Sequence, residues 1–135
     1  MDIVKALGFV KANPRSVLAT RRKDGSVQMS PVLAAVDDDT LLVSSREGAY
    51  KVRNIRRDPA VALCVLNEGF FGDWIQVDGT AGIVSLPEAM DLLVDYYRRL
   101  QGEHPDWEEY RQAMQRDKRV IVRITIDRAG PDRAG

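Results

Sequence analysis

Lys51 stands in the first turn of a short basic segment, YKVRNIRRDP, which spans residues 50 to 59. The segment follows an apolar run ending in two hydroxyls, Leu41-Leu42-Val43-Ser44-Ser45, with Gly48 between them. A strand that passes through small hydroxyl residues and a glycine into a helix can hold a phosphate. The free N–H groups of the first turn and the positive end of the helix dipole favour an anion there. Lys51 adds a mobile point charge and Arg53 a planar fork. A plainer reading stands beside this one. Arg53, Arg56 and Arg57 lie at i, i+3 and i+4 and share a face, while Ala49, Val52 and Ile55 make the apolar side. A solvated basic helix has the same spacing.

Other chemistry has little material. Cys64 is the single cysteine and lies in the apolar run Val61-Ala62-Leu63-Cys64-Val65-Leu66, which reads as a small buried hydrophobe. It permits no intrachain disulfide and suggests a reducing compartment. His104 is the single histidine and precedes Pro105 after Gly102. With one His and one Cys, neither a metal site nor a catalytic triad is expected. Glu103, Asp106, Glu108 and Glu109 cluster where a helix should start, and acids there offset the dipole. No catalytic side chain is assigned.

The charge balance narrows partners. Twenty Lys+Arg oppose twenty Asp+Glu, so no overall field favours nucleic acid or an anionic membrane. No run approaches the roughly 18 apolar residues of a membrane span, and no signal peptide pattern opens the chain. The expectation is a cytoplasmic protein, one domain over residues 1 to 127, with a short frayed tail from 128 to 135.

The elements that must position the basic segment follow from periodicity. Residues 2 to 11 have helical spacing, and Asn13-Pro14 ends them. Strands are expected at 16–22, 27–36, 40–45, 60–66, 74–85 and 120–126. Asp24-Gly25 turns the first hairpin. Pro31 within the second strand predicts a bulge or an unpaired side, and Gly79 and Gly82 predict a bend in the fifth. Ser85 followed by Pro87-Glu88 reads as an N-cap opening a helix that runs to Leu100 and closes at Gly102. A shorter helix is expected over 105–114. Six strands with irregularly placed helices fit a mainly β fold, a six-stranded antiparallel barrel with outer helices. So small a barrel is filled by side chains, so a ligand would sit outside it, in a groove between subunits.

Leu18-Ala19-Thr20, the Asp24-Gly25 turn, Gln28-Met29-Ser30-Pro31-Val32, Leu41 to Ser45, YKVRNIRRDP, Trp74 before Asp78-Gly79-Thr80-Ala81 and DWEEYRQAM occur in an order that resembles the pyridoxamine 5'-phosphate oxidase-like split β-barrel superfamily, the FMN-binding split-barrel type. Within it, the chain is similar to actinobacterial F420-dependent oxidoreductases of the flavin/deazaflavin class B. The resemblance covers residues 10 to 127. It implies a homodimer with two cofactor grooves and coenzyme F420 as hydride donor to a small electron-poor substrate. FMN, or a carrier role without turnover, is the alternative. It implies Lys51 as the phosphate cation, aided by Ser44 and Ser45. Tyr50 stands where many relatives carry Arg, which leaves Arg53 or Arg46 as substitutes. Gln28, Met29, Ser30 and Pro31 match the strand along the ring, and Trp74 would close over it from the partner. Arg21, Arg22, Arg56 and Arg57 are candidate cations for a polyglutamate tail. Phe70-Phe71 is expected to line the dimer groove or the substrate mouth.

Overall fold

The computed structural model describes residues 1–131. Four helices, α1 (Ile3–Ala12), α2 (Tyr50–Arg57), α3 (Met90–Gln101) and α4 (Trp107–Arg116), surround seven strands. These are β1 (Arg15–Arg21), β2 (Val27–Leu33), β3 (Ala35–Asp37), β4 (Thr40–Arg46), β5 (Ala60–Leu66), β6 (Trp74–Val84) and β7 (Arg119–Gly130). All pair antiparallel in one sheet, ordered β2-β1-β5-β6-β7-β4-β3.

The two edge strands of that sheet are neighbours in sequence. Only Ala34 separates β2 from β3, and its amide donates to the Pro14 carbonyl at 2.9 Å. A sheet whose opposite edges are joined by one residue must curl until those edges meet. The barrel interior is then filled by Leu18, Leu41, Val43, Leu63, Val65, Val77, Val122 and Ile124, all essentially sealed from water. A second core lies outside the sheet, where Leu42 and Ile121 meet Ala89, Leu93, Val94 and Tyr110 of the α3–α4 region.

Several expectations need correction. The single return strand over 27–36 is two strands broken at Ala34, because the chain changes sheet edge there; this makes seven strands, not six. Pro31 pairs with Val17 without a bulge. β2 is an edge strand with one side unpaired, the setting in which proline is tolerated. Arg128 does not begin a frayed tail. β7 continues to Gly130 and pairs Arg128 with Asp78, while residues 132–135 lie outside the described residues. Ser85 caps nothing: its hydroxyl donates to Glu47 at 3.2 Å and accepts from Arg56, and α3 starts at Met90. The shorter helix begins at Trp107, capped by Asp106, whose side chain accepts from the Glu109 amide. The bend at Gly79 is present as a register shift between Asp78 and Gly79. A Cβ there would stand 2.6 Å from the Thr125 carbonyl oxygen, so only glycine fits.

Candidate functional site

The sheet is not closed along its whole length. β4 pairs with β7 throughout, but on its other side it meets β3 only from Thr40 to Leu42. From Val43 to Arg46 that edge is free, and so is the outer edge of β2. Continuing the β3–β4 register through Ala34 sets Leu33 opposite Ser44, and the strands diverge beyond that point. Tyr96 of α3 sits at the divergence. Its hydroxyl donates to the Leu33 carbonyl at 2.8 Å. Burial pushes the Tyr96 phenol up, opposed by hydrogen bonding from the Ser44 backbone and by Arg119. Between the two free edges lies a slot lined by unpaired backbone groups of β2. Ser30 adds to them a side-chain oxygen that is shut off from solvent and has no partner. Buried polar groups are rarely left so.

α2 follows β4 in the chain and packs on β1 and β6. It forms because Val52 and Ile55 bury one face, and Asp58-Pro59 stops it, Pro59 being unable to continue the ladder. Asn54, also buried, ties it to the barrel: Asn54 Nδ2 donates to Thr20 Oγ1 at 3.0 Å. Thr20 in turn donates to Gln28 Oε1 at 3.2 Å. This chain fixes α2 against β1 and β2.

Two cationic places flank the helix. On one side, Lys51 is half-buried near Arg119. Its ammonium pKa is lowered, first by loss of solvent and then by the Arg119 charge. Among the described residues Lys51 has no carboxylate within 4.0 Å, and Arg119 Nε is buried without a partner. On the other side, Arg22, Lys23, Arg53 and Arg57 line a hollow of about 420 Å³ with Gln28, Tyr50 and Asn54. No carboxylate lines it. Arg57 is held in place by bonds to the Arg21 carbonyl at 2.9 Å and Asn54 Oδ1 at 3.0 Å. Arg53 lies over the Tyr50 ring, 5.9 Å from its centroid.

The residues expected from sequence therefore divide. Gln28 and Ser30 sit on the inner side of β2, while Met29 and Pro31 are on its outer face. Tyr50 and Arg53 share the hollow with Gln28, but Lys51 lies apart from it, toward Arg119. Ser44 shares a side with Leu42, on the α3 face of β4, whereas Ser45 alternates inward with Val43 and is 3% exposed. Trp74 is on the outer sheet face, in a hollow with Gln76, Asp78 and Arg128. Arg22, Lys23, Asn54, Arg57, Tyr96 and Arg119 were not anticipated as one group. Arg22-Lys23 beside a hairpin was a readable charge signal, but Arg119, at a strand start, carried none.

The donors fit a planar, amide-bearing ring with an anionic tail. Free strand edge and Ser30 suit the ring, and cations without carboxylates suit the tail. A family model described as pyridoxamine 5'-phosphate oxidase matches residues 5–130. The chain belongs to the pyridoxamine 5'-phosphate oxidase family. Among solved structures, a conserved hypothetical protein from Mycobacterium tuberculosis is 26% identical, with all of this chain and 92% of the other covered, at TM-score 0.77. An F420 reductase is 23% identical over 91% of this chain and 94% of its own, at TM-score 0.72. The heme storage protein HutZ from Vibrio cholerae has the same fold at 14% identity and TM-score 0.72, covering 96% and 94%. The family's fold thus carries more than one function. Among the described residues no helix is long and apolar enough to cross a membrane, and no group of three or more His, Cys, Asp or Glu could hold a metal.

Proposed function

We propose that this family member is an oxidoreductase that transfers a hydride between coenzyme F420 and a small electron-poor substrate. The observation that carries this reading is that Lys51, Arg22, Lys23, Arg53 and Arg57 beside α2 make no ion pair among the described residues, whereas Arg56 of the same helix is paired with Glu47. The likeness to an F420 reductase supports it. Lys51, the α2 amides and Ser44 would hold the phosphate. The free edge of β2 from Gln28 to Pro31, with Ser30 Oγ, would meet the polar rim of the ring. Arg53, Arg57, Arg22 and Lys23 would hold a carboxylate tail. The bound deazaflavin supplies the hydride. The chain's own residues fix the donor's position, turn one ring face toward the substrate and exclude water from the slot. No side chain is needed as a strict acid or base.

A second subunit supplies the missing wall. The outer face of β2 and β1 carries Met29, 68% exposed, with Val27, Pro31, Leu33 and Val17. That apolar surface suits a second copy of the chain, which would bring its Trp74 toward the ring. The test is a fluorescence-quench titration against F420, FMN and a nicotinamide cofactor, followed by turnover of reduced F420. Tight F420 binding with substrate-dependent oxidation is expected. Binding of FMN alone would replace the cofactor in this reading, and binding of neither would end it.

A further inference from the structure

We propose that the loop between β5 and β6 is a docking arm, and that Phe70 and Phe71 of one subunit seat against Pro14, Leu33, Leu66 and Leu100 in a hollow of a second copy of the same chain. Phe70 is 63% and Phe71 85% exposed, edge to face with centroids 5.0 Å apart. Their display is built, not slack. The Phe70 amide donates to the Asn67 carbonyl at 3.1 Å, the Phe71 amide to the Gly69 carbonyl at 2.8 Å, and Asn67 Nδ2 to the Phe71 carbonyl at 3.3 Å. Phe70 has φ +68°, an unfavourable backbone for a side chain of that size, and Gly72 has φ +128°. A strained turn that holds two phenyl rings in water is unexplained within one subunit.

The receiving hollow lies at the base of the same loop. It has a volume of about 290 Å³ and is walled by the apolar Pro14, Leu33, Leu66 and Leu100 together with the polar Asn13, Arg15, Glu68 and Gln101. Neither phenyl lines it. A knob and a hole side by side on one surface are satisfied together by a twofold axis passing between them, since each copy then fills the other. Charge agrees. Arg15 and Glu68 are exposed, and neither has an ion-pair partner within 4.0 Å among the described residues. Across such an axis Arg15 of one copy meets Glu68 of the other. Area agrees as well. Two phenyls so exposed offer roughly 300 Å², over a third of the roughly 800 Å² per partner of a stable interface. Leu66 and Trp74, paired at the loop's base, continue into the apolar face that carries Met29 and Pro31. The hollow opens at Leu33, where the slot begins, so the arm also walls the partner's site.

The inference rests on the dimer reading, and the experiment separates the two. Two chains, Phe71→Cys and Leu100→Cys, each with Cys64→Ser, are mixed and oxidised. A disulfide between unlike chains is expected. In parallel, Phe70→Ser/Phe71→Ser is sedimented, with dissociation of the dimer raised roughly 10- to 100-fold and the far-UV signal unchanged. A monomeric parent chain would sink the dimer reading itself. A dimer that gives no cross-link and tolerates both serines would overturn the arm alone. So would binding to phosphatidylglycerol vesicles that the serines abolish while the dimer persists, because the phenyls would then serve a lipid surface.

Discussion

Two groups of cations in this chain contrast. Several arginines are matched: Arg56, on α2 itself, with Glu47, Arg98 with Glu103, Arg99 and Arg123 with Asp37, Arg128 with Asp78. Beside α2, Lys51, Arg53, Arg57, Arg22 and Lys23 make no ion pair within 4.0 Å among the described residues, although Asp24 is near enough to Arg22 for its carboxyl pKa to be lowered. The formal net charge is zero, yet the charge is segregated. Matched arginines at exposed sites contribute little to stability. A half-buried, unmatched ammonium costs stability unless something outside the chain completes it. In the reading we propose, the difference marks one place as structure and the other as a receptor for an anion.

The strongest way to break this comparison is Lys51→Ala. It should weaken F420 binding by about 1.5–3 kcal/mol, the size of a charge-assisted hydrogen bond, read by fluorescence titration. Thr20→Val tests the scaffold beneath. Without its hydroxyl the buried Asn54 loses a partner, so a denaturant melt should report about 1–3 kcal/mol lost. The hollow is sharpened by salt. Affinity for F420 should fall more steeply with ionic strength than affinity for FMN, which has no carboxylate tail. In Arg53→Ala/Lys23→Ala the two slopes should converge, and equal slopes in the parent chain would remove the hollow from the tail site. The smallest effect belongs to the matched population: Arg56→Ala should change stability by about 0–1 kcal/mol and leave F420 affinity intact.

The depressed Lys51 pKa gives a pH test with a definite sign. The unfolded lysine binds its proton more tightly than the folded one. The folded form is therefore penalised below the lowered pKa, and stability rises as pH climbs through it toward 10.5, the ordinary lysine value. Thermal melts of the ligand-free chain across that window should show the rise, and Lys51→Met should flatten it.

The mainly β barrel was legible because alternation over 120–126, turn residues and helix spacing agreed, whereas the all-apolar run at 60–66 suggested burial on both faces and is buried on one. YKVRNIRRDP gave α2 to the residue, since Pro59 leaves no freedom about its end. What was not legible depends on tertiary register. One residue, Ala34, moves the chain between sheet edges, and its local pattern looks like continuing strand. Ser44 and Ser45 read alike as neighbours, but opposite faces of β4 separate them. Tyr96 and Arg119 reach the slot from distant segments, and no spacing rule connects them to Lys51. Arg128 looked like a tail because its partner, Asp78, lies fifty positions away.

We propose that Lys51 is held unmatched for an anionic coenzyme, and its own titration is the decisive experiment. The side-chain ammonium of Lys51 can be followed by NMR in the ligand-free chain and again with F420 bound. A pKa below 10.5 without ligand that climbs when F420 binds is expected, with Lys23→Ala leaving the ligand-free value unchanged. A Lys51 pKa indifferent to bound F420 would contradict it.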